Sequence, residues 1–126
     1  KTNYSNQDET IRNDVGCITD IYNYNLRNKG VREMITDIKS ISWEAASNFN
    51  DESLDFVFID AGHDYESVRK DITNWLPKIK KGGIISGHDY FNSIEFGGNF
   101  GVKRAVDEFF GEKNLNFYEY CWFINK

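Results

Sequence analysis

At 126 residues, 40% of them hydrophobic and 16% aromatic, the sequence holds the apolar material for one modest core and lacks the length for a second independent one. Its 15 basic against 20 acidic side chains leave a formal net charge of -5, a field that repels phosphate backbones and anionic lipid headgroups, so neither nucleic acid nor a membrane is an expected partner. No apolar run approaches the ~18 residues of a spanning helix, and residues 1–12 lack the hydrophobic centre of a secretory signal, which reads as a cytoplasmic protein.

Residues 1–13 are polar and are expected to be loosely ordered. From Asp14 to Asn28 the spacing of Val15, Ile18, Ile21, Tyr22 and Leu26 predicts a helix, with Gly30 where helices commonly end. Met34 to Ile38 is a short strand candidate, and Ser42 is placed to cap a brief helix running through Trp43, Ala45, Ala46 and Phe49. Leu54 to Ile59 is a nearly unbroken apolar run, the pattern of a strand covered on both faces in a parallel sheet, and it stops at Asp60. Asp64 is a helix cap, followed by the stripe Tyr65, Val68, Ile72, Trp75, Leu76 and Ile79 at period 3.6, which Pro77 helps to end.

Gly82 and Gly83 introduce a second buried strand, Ile84 to Gly87, which ends in His88, Asp89 and Tyr90. Phe91 to Gly101 reads as a mobile loop, and 102–110 as a helix with Val102, Ala105, Val106, Phe109 and Phe110 inward. The tail from Leu115 to Ile124 is aromatic and strand-like, without a clear turn. Cys17 and Cys121 form no CxxC pair and read as reduced, partly buried thiols. Strand, helix, strand, helix, strand is the order that builds a parallel sheet by crossovers.

Ligands of open parallel sheets bind beyond the carboxyl ends of the strands. If the strands ending at Asp60 and Gly87 are neighbours, ~4.8 Å apart, the carboxylates of Asp60 and Asp89 converge on one small cation. Oxygen ligands favour Mg2+, and His88 fits Mn2+ better. The bland alternative is that Asp60, His88 and Asp89 are ordinary turn formers. His63 stands three residues after Asp60, and an imidazole with an ordinary pKa of ~6.5 suits proton transfer near neutrality.

The runs from Ser53 to Tyr65, Gly82 to Tyr90 and Gly101 to Phe110, with the ending Cys121-Trp122-Phe123-Ile124, resemble class I S-adenosylmethionine-dependent methyltransferases. The likeness covers roughly residues 20–126 and implies an α/β fold, a Rossmann-like, doubly wound and mostly parallel sheet with an antiparallel last strand. It implies S-adenosylmethionine as methyl donor and a small-molecule acceptor, an oxygen of a sugar or other alcohol. By the same resemblance His63 is the general base, Asp60, His88 and Asp89 hold a divalent cation, and Ser42, Trp43, Asp60 and Ala61 contact the cofactor. His88 stands where such relatives carry an acid.

Nothing in residues 1–33 resembles the apolar strand and Gly-x-Gly turn with which that family opens, so the expectation is a single partial domain lacking the first two strands. Such a chain is expected to expose an apolar sheet edge open to pairing with another copy or chain. Two other readings are a catalytically silent remnant acting as an interaction module, and a metal-dependent hydrolase. With two histidines in the chain, ligands for the latter are few.

Overall fold

The structure, a computed structural model, describes residues 18–91, 100–111 and 114–126. The expected loose segment 1–13, the start of the first helix including Cys17, and most of the loop from Phe91 to Gly101 lie outside them. The chain divides into two compact units, Lys1–Ile38 and Lys39–Lys126.

In the first unit, helix α1 spans Ile18–Asn28. It stops at Gly30, whose φ of 68° is the left-handed geometry that a Cβ disfavours. Gly30 N–H donates to Arg27 C=O at 2.9 Å and Val31 N–H to Leu26 C=O at 3.0 Å, the paired bonds of a Schellman end. Met34 to Ile38 is not a strand. A 3-10 turn, Arg32–Met34, occupies its start, and residues 35–38 pair with no described strand. The local sequence is apolar enough, but a ladder needs a neighbour to take its N–H and C=O groups. Side chains fix the segment instead: Arg32 Nη1 donates to Ile35 C=O at 3.0 Å and Tyr22 Oη to Asp37 Oδ1 at 2.8 Å.

The second unit begins with the short helix α2, Ser42–Ala45, continued by a 3-10 turn, Ala46–Asn48. Ile41, not Ser42, is the capping residue; Ser42 is already helical, and its hydroxyl accepts from Trp75 Nε1 at 3.2 Å. Then come β1 (Leu54–Ile59), α3 (Tyr65–Trp75), β2 (Ile79–Gly87), α4 (Val102–Phe110), β3 (Asn116–Tyr118) and β4 (Cys121–Asn125). Asp64 caps α3 as expected, accepting from Ser67 N–H at 3.0 Å. Pro77 does not force Leu76 out of helical geometry; it sits in a 3-10 turn, Leu76–Lys78, that tightens the end of α3. Ile79 belongs to β2, so that strand starts well before Ile84.

The sheet order is β1-β2-β4-β3, with β1 and β2 parallel and β4 antiparallel to both of its neighbours. The aromatic tail is therefore a hairpin, turning at Glu119 and Tyr120 with Glu119 in the left-handed region at φ 53°. This is a mixed α/β sheet of four described strands, narrower than the doubly wound expectation. Ile59, Ile79, Ile85 and Trp122 of the sheet meet Val68 and Ile72 of α3 and Val102, Ala105 and Val106 of α4 in one buried cluster. Phe109, expected inward, is 39% exposed, whereas Phe110 packs on Trp122 with ring centroids 5.9 Å apart.

β1 departs from expectation in the same way. Its apolar run predicts cover on both faces, yet among the described residues it pairs on one side only, and Phe56 and Phe58 are 56% and 46% exposed. The two rings, two residues apart and so on one face of the strand, stack at 6.4 Å.

Candidate functional site

Parallel pairing sets β1 and β2 level at their carboxyl ends, with Ile59 opposite Gly87. His88 N–H then donates to Ile59 C=O at 3.1 Å, extending the ladder by one bond and bringing the two following loops side by side. From these loops His63 Nε2 meets Asp89 Oδ2 at 2.9 Å and Asp60 Oδ1 at 3.7 Å. One ligand atom from each of Asp60, His63 and Asp89 lies within 4.8 Å of the others. Their side chains are 54%, 43% and 18% exposed, so the cluster faces outward with Asp89 at its base.

The sequence reading names His88 with Asp60 and Asp89 as cation ligands. In the structure the histidine grouped with the two acids is His63, and His88 reaches Asp89 Oδ1 through Nδ1 at 3.2 Å while lying edge-on to Tyr120. The two carboxylates offer the oxygen ligands that a divalent ion such as Mg2+ or Mn2+ takes, and the His63 imidazole stands beside them within hydrogen-bond distance of Asp89.

His63 is held from three directions. Phe100 stacks on its ring, centroids 5.2 Å apart and planes 25° from parallel, and Gly101 N–H donates to its carbonyl at 2.8 Å. Asp89 receives its Nε2. Gly101 must be glycine here, since a Cβ would lie 2.3 Å from the backbone nitrogen of Tyr65. The aromatic row continues as Phe91 packs on Phe100 and, edge-on, on Tyr120.

Asp89 itself has a left-handed backbone, φ 60°. The next residue, Tyr90, donates its hydroxyl to Asp107 Oδ1 at 2.6 Å, and burial followed by that bond pushes its pKa up. Neither Asp107 nor Phe100 emerges from the sequence as a site residue. Asp107 has a weak signal, its i,i+4 spacing from Lys103; Phe100 has none, because loop stacking leaves no period.

Of the expected cofactor contacts, Ser42, Asp60 and Ala61 line one groove of about 390 Å³ together with the side of β1, Phe49 and Trp75. Trp43 lines a different groove with Asn74 and Lys78, and Lys70 Nζ sits 4.8 Å over its ring. Beneath Ser42 lies Asp71, fully buried on α3, whose carboxylate oxygens have no hydrogen-bond partner among the described residues. Burial pushes its pKa up, with the Ser42 hydroxyl opposing that rise.

Among known proteins, residues 6–90 match the family described as a methyltransferase domain. A segment of 46 residues, 36% of this chain, is 35% identical to the uncharacterized protein y4gI of Sinorhizobium fredii (strain NBRC 101917 / NGR234). That segment spans 5% of the relative's length. Among the described residues, no helix is long and apolar enough to cross a membrane.

Proposed function

The chain belongs to the methyltransferase domain family, and on that premise we propose that its parent protein transfers a methyl group from S-adenosylmethionine to a hydroxyl oxygen of a small molecule, a sugar or another alcohol. The observation that carries this reading is the convergence of Asp60, His63 and Asp89 at the carboxyl ends of two adjacent parallel strands. Ser42, Asp60 and Ala61, which share a groove, are the residues of this chain that would contact the cofactor. Asp60 and Asp89 would hold a divalent cation, Mg2+ or Mn2+. Such a cation, when bound, supplies Lewis acidity that favours the deprotonated form of an alcohol.

The remaining work falls to His63. With Nε2 2.9 Å from Asp89 Oδ2, that nitrogen carries the hydrogen the carboxylate accepts, which leaves Nδ1 as the basic atom. The acceptor's hydroxyl proton passes to Nδ1, and the imidazolium so formed faces two carboxylates that stabilise its charge. Phe100, stacked on the ring, limits its rotation, so the proton acceptor is oriented before the reaction rather than during it.

In the intact parent protein His63→Ala is expected to lower kcat by about 10²–10⁴-fold while S-adenosylmethionine affinity stays nearly constant. Isothermal titration beside steady-state kinetics separates the two, and equal losses in both would refute the base assignment. Chelation is expected to remove activity that added Mn2+ or Mg2+ restores. Turnover indifferent to the chelator would remove the cation and leave methyl transfer standing.

A second reading is favoured by the edge of β1 that pairs with no described strand. Phe56 and Phe58 present an apolar strand to solvent, as a module completed by a strand from another copy would do.

A further inference from the structure

Asp89 is the most buried of the three clustered donors, and its left-handed φ of 60° is uncommon outside glycine. Such a conformation persists where its surroundings hold it. On one side His88 N–H is tied to Ile59 C=O, and on the other Tyr90 N–H donates to Tyr120 C=O at 2.9 Å, so the residue is pinned between β1 and the β3–β4 turn. The Tyr90 side chain adds a third anchor. Its ring stacks on Phe117 of β3 at 6.1 Å, its hydroxyl donates to Asp107 of α4, and Lys103 Nζ reaches both Asp107 Oδ2 at 2.6 Å and Tyr90 Oη at 3.2 Å. Lys103 and Asp107 side chains are each 26% exposed, which shields these charge-assisted bonds better than a surface pair is shielded.

We propose that Tyr90, acting through Asp107 and Lys103, is a positioning residue that aims the Asp89 carboxylate at Asp60 and His63. The inference rests on reading that cluster as a cation site, and it adds residues that touch neither cation nor substrate. The hydroxyl is the critical part. Without it the ring keeps its seat on Phe117 and under Lys103 Nζ, 4.9 Å from its centroid, and the Lys103–Asp107 pair survives, but the loop carrying Asp89 loses its hydrogen bonds to α4.

The test uses the full chain and Mn2+ alone, titrated by electron paramagnetic resonance, with nitrogen-15 resonances of the His63 imidazole recorded without metal as a second readout. Tyr90→Phe and Asp107→Asn are each expected to weaken Mn2+ binding about tenfold, the scale on which contacts behind metal ligands act. The double variant is expected to be no weaker than either single one, since both break one chain of contacts. Arg104→Ala, which breaks the exposed pair with Glu108 on the same helix, is expected to leave Mn2+ affinity unchanged. Tyr90→Phe is also expected to move the His63 resonances in the direction that Asp89→Asn moves them.

Wild-type Mn2+ affinity and unmoved His63 resonances in Tyr90→Phe would overturn the proposal while Asp89→Asn still abolishes binding. If Asp89→Asn leaves Mn2+ affinity intact, the cation reading falls. The positioning role is then decided by the His63 resonances of Tyr90→Phe, sustained if they move and overturned if they do not.

Discussion

Asp71 is the residue most at odds with its surroundings. Burial favours the protonated form of its carboxyl, and the Ser42 hydroxyl offsets only part of that, so its folded pKa lies above its unfolded value. The folded state then binds more protons than the unfolded one across that interval, and stability falls as pH rises through it. Asp71→Asn is expected to stabilise the chain at pH 7, with the advantage vanishing below the ordinary aspartate range. Urea unfolding of both proteins across pH 4 to 7 measures it; a constant difference would assign the effect to packing rather than charge. At this scale the sequence is informative where a residue acts on its own backbone, as Asp64 does in capping α3. It is silent where the partner arrives by folding: nothing local says that Ser42 receives the Trp75 indole rather than capping α2, or that His63 rather than His88 joins the two acids.

Among elements, the junction of α3 with the start of α4 is tight: of the described glycines, Gly101 leaves the least room for a Cβ. Gly101 lies against the first residue of α3 and binds the carbonyl of His63, so a methyl group there must push α4 away from the site. Gly101→Ala is expected to cost at least about 2 kcal/mol in chemical denaturation and to disturb the His63 resonances, because overpacking against backbone has no flexible side chain to yield. A loss below 0.5 kcal/mol would show that the junction relaxes freely. Helices α3 and α4 are legible because burial on one face writes a period into the chain, with Val68, Ile72, Val102, Ala105 and Val106 all buried, and the two parallel strands are legible as short apolar runs. Met34 to Ile38 has the local composition of a strand without being one, because strand identity belongs to a pair and a single segment carries half of the information. The early start of β2 was hidden by Ile79, which continues the apolar stripe of α3 into the next element.

For the whole molecule, the side of β1 that pairs with no described strand bears on the second reading proposed above. An edge strand with two exposed phenylalanines pairs readily, whereas lysine on such an edge discourages it. The isolated chain is expected to associate with rising concentration, and Phe56→Lys to shift it toward the monomer in sedimentation velocity runs. Equal sedimentation of both proteins at all concentrations would show that the edge is inert. The apolar run of β1 reveals that the strand belongs against other surfaces, but a sequence cannot say which of those surfaces its own residues supply.

The parallel β1–α3–β2 unit has a further consequence. All three clustered donors, Asp60, His63 and Asp89, come from that unit and the loops at its end, with no contribution from the hairpin. Recombination that cuts outside this short stretch therefore moves the acids and the imidazole together, but it preserves their geometry only where it also carries α4 and the hairpin, which hold Asp89 through Tyr90 and Tyr120.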